Sequence, residues 1–208
     1  MDQPRLLIRL GTDTAVFHAD ADSDVDRFLF RTTTTSADYR AYLERAYGFV
    51  APVEAALQAC NGLDRMIDLP SRAKTPHVIR DLLALGLSMK DISELPLCLS
   101  IPAFRGPAAA LGWMYVAERP LLASAVIRRH VATRLPGEAH AATAYLSCYA
   151  GSVGSMWREL GVALDRVAAT TAIADRIVAA ACDAFRTLGR WRMHDLGRHA
   201  VAQARAVG

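Results

Sequence analysis

Apolar residues recur at spacings of three and four along most of the chain. Between Ala37 and Cys60, the residues Tyr39, Leu43, Tyr47, Val50, Val53 and Leu57 keep the period of a helix that buries one face. Ser36 stands at its start as a capping oxygen, and Asn61-Gly62 closes it. An earlier helix is expected through TAVFHADA, capped by Thr12 or Asp13, with Phe28-Leu29-Phe30 tying its far side to the core. A third spans about Pro76 to Leu85, ends at Gly86, and is followed by the capping candidate Ser88. Three prolines between Leu95 and Pro107 predict an irregular crossing. Helices are then expected over about Ala108–Leu135, Glu138–Gly151 and, as a pair, Trp157–Val207.

The stretch YVAERPLLASAV, Tyr115 to Val126, is apolar enough for a buried helix yet carries Arg119-Pro120 in its middle. Proline removes one helical hydrogen bond and presses on the preceding turn, so a bend is predicted there. No segment alternates with a period of two for long enough to make a sheet, and no internal repeat is visible. The expectation is all-α, six to eight helices in one domain over 1–208, with its core at about 12–192 and a tail from 193.

Composition narrows the functional classes. Hydrophobic residues form 52% of the 208, and 24 basic against 21 acidic residues give a net charge of only +3, without a run of like charge. Nucleic acid is therefore not an expected partner. The N-terminal MDQPRLLIRLGTD lacks a signal-peptide core, and apolar runs such as Pro107 to Ala117 are too short to span a bilayer. A cytoplasmic protein without membrane insertion is expected. Cys60, Cys98, Cys148 and Cys182 are widely spaced and read as free thiols.

Phosphate loops, dinucleotide fingerprints and a Gly-x-Ser-x-Gly elbow are all missing from the sequence. His77, His130 and His140 are isolated, and His194 and His199 fall in the polar C-terminal region. His18 differs because Ala15, Phe17, Ala21 and Val25 surround it and Asp22 follows at i+4. An aspartate so placed can take the proton of one imidazole nitrogen and leave the other as an oriented ligand.

Three further stretches, read with His18, carry a resemblance. LGWMYVAERPLLASAVIRRH is similar to a distal-helix pattern of Gly-x-Leu-Tyr-Val-Leu-Glu-Gly-Ser-Thr-Leu-Gly-Gly. YLSCYAGSVGSMWREL is similar to Tyr-Gly-x-x-Thr-Gly-x-Met-Trp through Tyr149, Gly154, Met156 and Trp157. SADYRAYLERAYGFVAPVE, with PHVIRDLLALGLS after it, completes the order. Together they resemble the bacterial heme oxygenase family, in particular its phytochrome-associated, biliverdin-producing branch.

That resemblance implies a helical fold holding one heme, as both cofactor and substrate, between a proximal histidine and a bent distal helix. Molecular oxygen and external electrons open the ring to biliverdin, carbon monoxide and ferrous iron. His18 takes the place of the proximal ligand. The distal glycines are replaced by Arg119, which Pro120 follows, and by the pair Ala123-Ser124. Pro120 can supply the bend, Ala123 and Ser124 the close approach, and the Ser124 hydroxyl a hold on a distal water. The other reading is a narrowed pocket that binds heme or a bilin without turnover, or a scaffold that serves only as an interaction protein. The family's basic position seven residues before the histidine is Gly11, so Arg9, Tyr115 and Arg158 are the expected propionate partners, whereas Arg128 and Arg129 are expected in solvent. A ferredoxin or reductase is implied as electron donor, and a bacterial phytochrome as a receiver of biliverdin.

Overall fold

Helix starts in this chain are set partly by neighbours in sequence and partly by distant side chains. The computed structural model describes residues 4–19, 25, 28–31 and 33–206, the last thirteen of these by backbone alone. Asp22, the predicted partner of His18, lies outside them, as do the side chains of His194 and His199. Every regular element among the described residues is helical, and none is long and apolar enough to cross a membrane.

Helix α1 (Arg5–Asp13) begins well before the expected Thr12 or Asp13 cap, and Asp13 ends it. Its cap comes from far along the chain: the Asp165 carboxylate accepts from the amides of Arg5 (3.0 Å) and Leu6 (2.9 Å). A short 3-10 turn, Ala15–Phe17, then leads to His18. Leu29 is fully buried and Phe28 packs beside it, but Phe30 is exposed against the ring of His130.

Helix α2 (Ser36–Gln58) is capped one residue before the predicted Ser36, because Thr35 and Asp38 exchange hydrogen bonds in a capping box. α3 (Thr75–Ala84) ends at Gly86, whose φ of +92° is the left-handed turn glycine permits. Ser88 caps α4 (Met89–Ser93) as expected.

After the irregular crossing, α5 (Pro107–Glu118) gives way to a 3-10 turn over Arg119–Ala123, and α6 (Ser124–Arg134) resumes the helix. The interruption falls where Pro120 predicts it, since its nitrogen has no hydrogen to give to the preceding turn. The single helix expected over Glu138–Gly151 is two short ones, α7 (Pro136–Ala141) and α8 (Ala144–Ser147). The buried Asp81 carboxylate of α3 takes the amides of Ala144 (2.7 Å) and Tyr145 (2.8 Å) and so starts a new helix there.

α9 (Val153–Val167) and α10 (Thr171–Ala206) close the bundle. α10 lies so near α5 that a Cβ at Gly112 would come within 2.5 Å of the Ile177 carbonyl oxygen. Apolar burial is divided between two clusters. One joins α1, α5, α9 and α10 with the second half of α2; the other joins the first half of α2 with α3, α6 and α8 around Tyr39, Leu82 and Tyr145. The segment carrying Pro120 runs from the first cluster, at Ala117, into the second, at Leu121.

Candidate functional site

His18 follows the turn after α1, half-buried, with its ring 5.6 Å from that of Phe185 on α10. Its Nε2 lies 3.0 Å from the hydroxyl of Thr14. Thr14 is fully buried and donates its own proton to the Leu10 carbonyl at 2.6 Å, so towards His18 it can only accept. Nε2 is therefore the protonated nitrogen of this pair. Tyr115 of α5 lies close to Thr14, and its ring packs against Trp157 and Phe185. Burial raises the Tyr115 pKa, which keeps the phenol neutral. The structure thus brings two expected residues, His18 and Tyr115, onto one threonine that the sequence did not single out.

Beyond them lies a cavity of about 170 Å³ at the seam between the two apolar clusters. Phe49, Val116, Ala117 and Leu188 reach it from the first cluster, and Tyr42, Ile127 and Tyr145 from the second. Side chains drawn from two cores do not share one interlocking layer, which leaves space where they meet. Pro120 and Ala123 of the bent segment line this space; Ser124, buried at the start of α6, does not. His18 does not line it either. Phe185 and Leu188, three residues apart on one face of α10, place the histidine about one turn from the cavity.

Three arginines line the same cavity: Arg45 from α2, Arg119 from the bend and Arg192 from α10. Among the described residues no carboxylate lines it. Arg45 is only 4% exposed; it donates to the Arg192 carbonyl at 2.9 Å and lies over the Phe28 ring at 5.3 Å. Trp191, another lining residue, donates its indole hydrogen to the Arg45 carbonyl at 3.2 Å.

The other two expected carboxylate partners stand elsewhere. Arg9 is exposed and held by Asp13 at 3.1 Å and Asp175 at 2.6 Å. Arg158 is exposed in a separate shallow groove with Pro4, Met66 and Glu159. Trp113 is core, stacked on Phe49 and tilted against Phe104.

Directly behind the bend is a charged cluster that sequence spacing did not reveal. Glu118, the last residue of α5, is 3% exposed and receives hydrogen bonds from Lys74 Nζ (3.0 Å) and the Tyr149 hydroxyl (3.0 Å), with Arg72 at 3.6 Å. Glu54 accepts from the amides of Lys74 (2.6 Å) and Thr75 (3.1 Å) and from the Thr75 hydroxyl (2.6 Å). Two buried cations face two largely buried carboxylates, and the end of α5 is pinned to the start of α3. Burial and the neighbouring Glu118 push the Tyr149 phenol far above its ordinary range. The one available signal was the glutamate itself, an acid within an apolar run.

No curated protein matches the chain. The family model described as heme oxygenase matches residues 4–193, which takes in α1, His18, the bend and most of α10, and the chain accordingly belongs to the heme oxygenase family.

Proposed function

We propose that this protein is a heme oxygenase that cleaves heme to biliverdin, carbon monoxide and ferrous iron, acting as one domain, with His18 as the protein ligand to iron. The observation that carries this reading is the placement of a half-buried imidazole one helical turn from an apolar cavity roofed by the interrupted helix. The donor set suits the group: an imidazole, aromatic and aliphatic walls, and guanidinium groups for an acidic edge. When bound, heme supplies the iron and oxygen chemistry and is itself consumed.

The chain's own residues bind, orient and exclude water. Glu118 and its cations fix the near end of the bend, while Pro120 keeps the backbone of Arg119–Ala123 out of the α-helical path. Thr14 holds His18 by accepting a hydrogen bond from Nε2–H; ligation through that nitrogen would need the neutral ring to carry its proton on Nδ1 instead, which releases Thr14. A cavity of about 170 Å³ is below the roughly 300–1,000 Å³ of pockets that enclose whole organic ligands. Binding therefore requires the His18 turn and the bend to move apart, and the packing of His18 and Phe17 on Phe185 is what gives way. Electrons come from a ferredoxin or reductase, and biliverdin passes to a bacterial phytochrome.

A second reading, a carrier of heme or bilin without turnover, is favoured by Arg119 within the cavity at a position where relatives carry glycine. One titration separates the two. Hemin is added to the purified protein and the Soret band followed; ascorbate, or ferredoxin with its reductase, is then supplied under oxygen with catalase present. Decay of the band with appearance of biliverdin supports the enzyme, a stable band supports the carrier, and absence of saturable binding sinks both. His18→Ala is expected to change the iron spectrum, and an unchanged spectrum would remove the ligand assignment.

A further inference from the structure

We propose that the charged cluster behind the bend is a binding site for one ordered water molecule, held between the Arg72 guanidinium and the carboxylates of Glu118 and Glu54. The site is separate from the cavity beside the bend, and the inference does not rest on the heme reading. Val116, Ala117 and Arg119 line that cavity, whereas Met114 and Glu118, one turn apart on another face of α5, line the space around Arg72.

Three observations meet at this place. Arg72 is 3% exposed and its Nη2 donates to the Met156 carbonyl at 2.8 Å, yet neither Nε nor Nη1 has an acceptor among the described residues. Two pairs of opposite charges stand just too far apart for a hydrogen bond: Arg72 Nη1 is 3.6 Å from Glu118 Oε2, and Lys74 Nζ is 3.6 Å from Glu54 Oε1. The same four side chains line one cavity of about 20 Å³, with Leu57 and Met114 on its apolar side. A single water needs about 10–15 Å³ and two to four polar partners. The space meets both conditions.

The charges around it select water over an ion. Two cations and two carboxylates line the cavity, so an anion entering it loses its hydration and is attracted and repelled by neighbours of both signs. Water serves both sides at once, because its oxygen accepts from Arg72 while its hydrogens go to carboxylate oxygens. Glu118 has an oxygen for this purpose: Lys74 and Tyr149 donate to Oε1, and Oε2 takes no hydrogen bond from a described residue. The bound water turns two long ion pairs into a continuous set of hydrogen bonds joining Glu54 on α2, the turn before α3 and the end of α5. It also satisfies buried donors that would each carry a desolvation cost if left unmet. Since the bend departs from Glu118, this water belongs to the fixed point from which the Arg119–Ala123 turn begins.

The test needs no variant. The whole chain is crystallised with bromide as the sole halide, and high-resolution data are collected at the bromine edge. The expected result is one peak of water-like density, without anomalous scattering, within about 2.7–3.2 Å of Glu118 Oε2 and of Arg72 Nε or Nη1. In solution, the Arg72 Nε–H resonance of isotopically labelled protein should show a nuclear Overhauser cross-peak to water with the sign of a long-lived bound molecule. An anomalous peak overturns the inference by making the site one for a halide. Absence of density there overturns it too, as does density in the crystal with no cross-peak in solution. Hemin enters neither measurement, so failure here leaves the heme reading standing, and a failed hemin titration leaves the water site standing.

Discussion

Glu118 and Arg119 are adjacent in the chain and opposite in charge, and they face two different kinds of surroundings. Glu118 turns into a closed cluster in which Lys74, Arg72 and Tyr149 meet it at hydrogen-bond or ion-pair distance, nearly sealed from water. Arg119, half-buried, lines a cavity whose wall also includes Arg45 and Arg192. A buried charge balanced within the protein organises structure; a half-buried one at a cavity stands where an arriving group can reach it. The peptide bond between these residues is the boundary between scaffold and site.

The largest expected effect lies on the scaffold side. Glu118→Gln leaves Lys74 and Arg72 buried with a reduced counter-charge and should destabilise the fold by about 3–5 kcal/mol in urea unfolding. Replacing both partners, Glu118→Leu with Lys74→Met, should recover much of that loss, because an apolar pair of similar volume carries no desolvation cost. If the double variant is no more stable than Glu118→Gln, the cluster is not the balanced unit that its geometry describes.

A smaller effect, of about 1.5–3 kcal/mol, is expected for Tyr149→Phe, which removes a hydrogen bond to a buried carboxylate. It has a pH signature. The folded state holds the Tyr149 proton far more tightly than the unfolded chain, mainly through burial and then through Glu118. The stability this contributes is complete below pH about 10 and declines as the pH rises beyond it, where the unfolded phenol ionises and the folded one does not. Tyr39 and Tyr145 are shifted the same way, so Tyr149→Phe should lessen the alkaline loss of stability without abolishing it. An alkaline slope unchanged in the variant would separate Tyr149 from the cluster.

The smallest effect on stability belongs to Arg119. Arg119→Gln should shift unfolding by less than about 1 kcal/mol, since the group is half-exposed at the cavity. A large loss of stability would place Arg119 with Glu118 as scaffold and erase the distinction between them.

Local features were legible because their physics is local. The α2 and α4 caps, the turn at Gly86 and the interruption at Pro120 each depend on groups within a few residues, and each was found at or within one residue of its expected place. The errors share one cause. α1 was missed because its first amides are satisfied by Asp165, and the helix expected over Glu138–Gly151 divides because Asp81 captures two amides at Ala144 and Tyr145. A cap supplied from another element leaves no mark on the segment it starts.

The candidate site divides in the same way. His18 and Tyr115 stood out from the family pattern, and the structure brings both beside Thr14, an ordinary residue in the sequence. Arg9 and Arg158 were chosen for their position along the chain, and tertiary packing leaves both at the surface. By itself the sequence determined an all-helical chain, a bend at Pro120 and His18 as a candidate ligand, because periodicity, proline chemistry and residue type act over one or two turns. Only the tertiary structure decided that two apolar clusters meet at that bend, and that arginines from three distant elements share the space between them. Those outcomes depend on how helix faces pack after they form, which no short stretch of chain encodes.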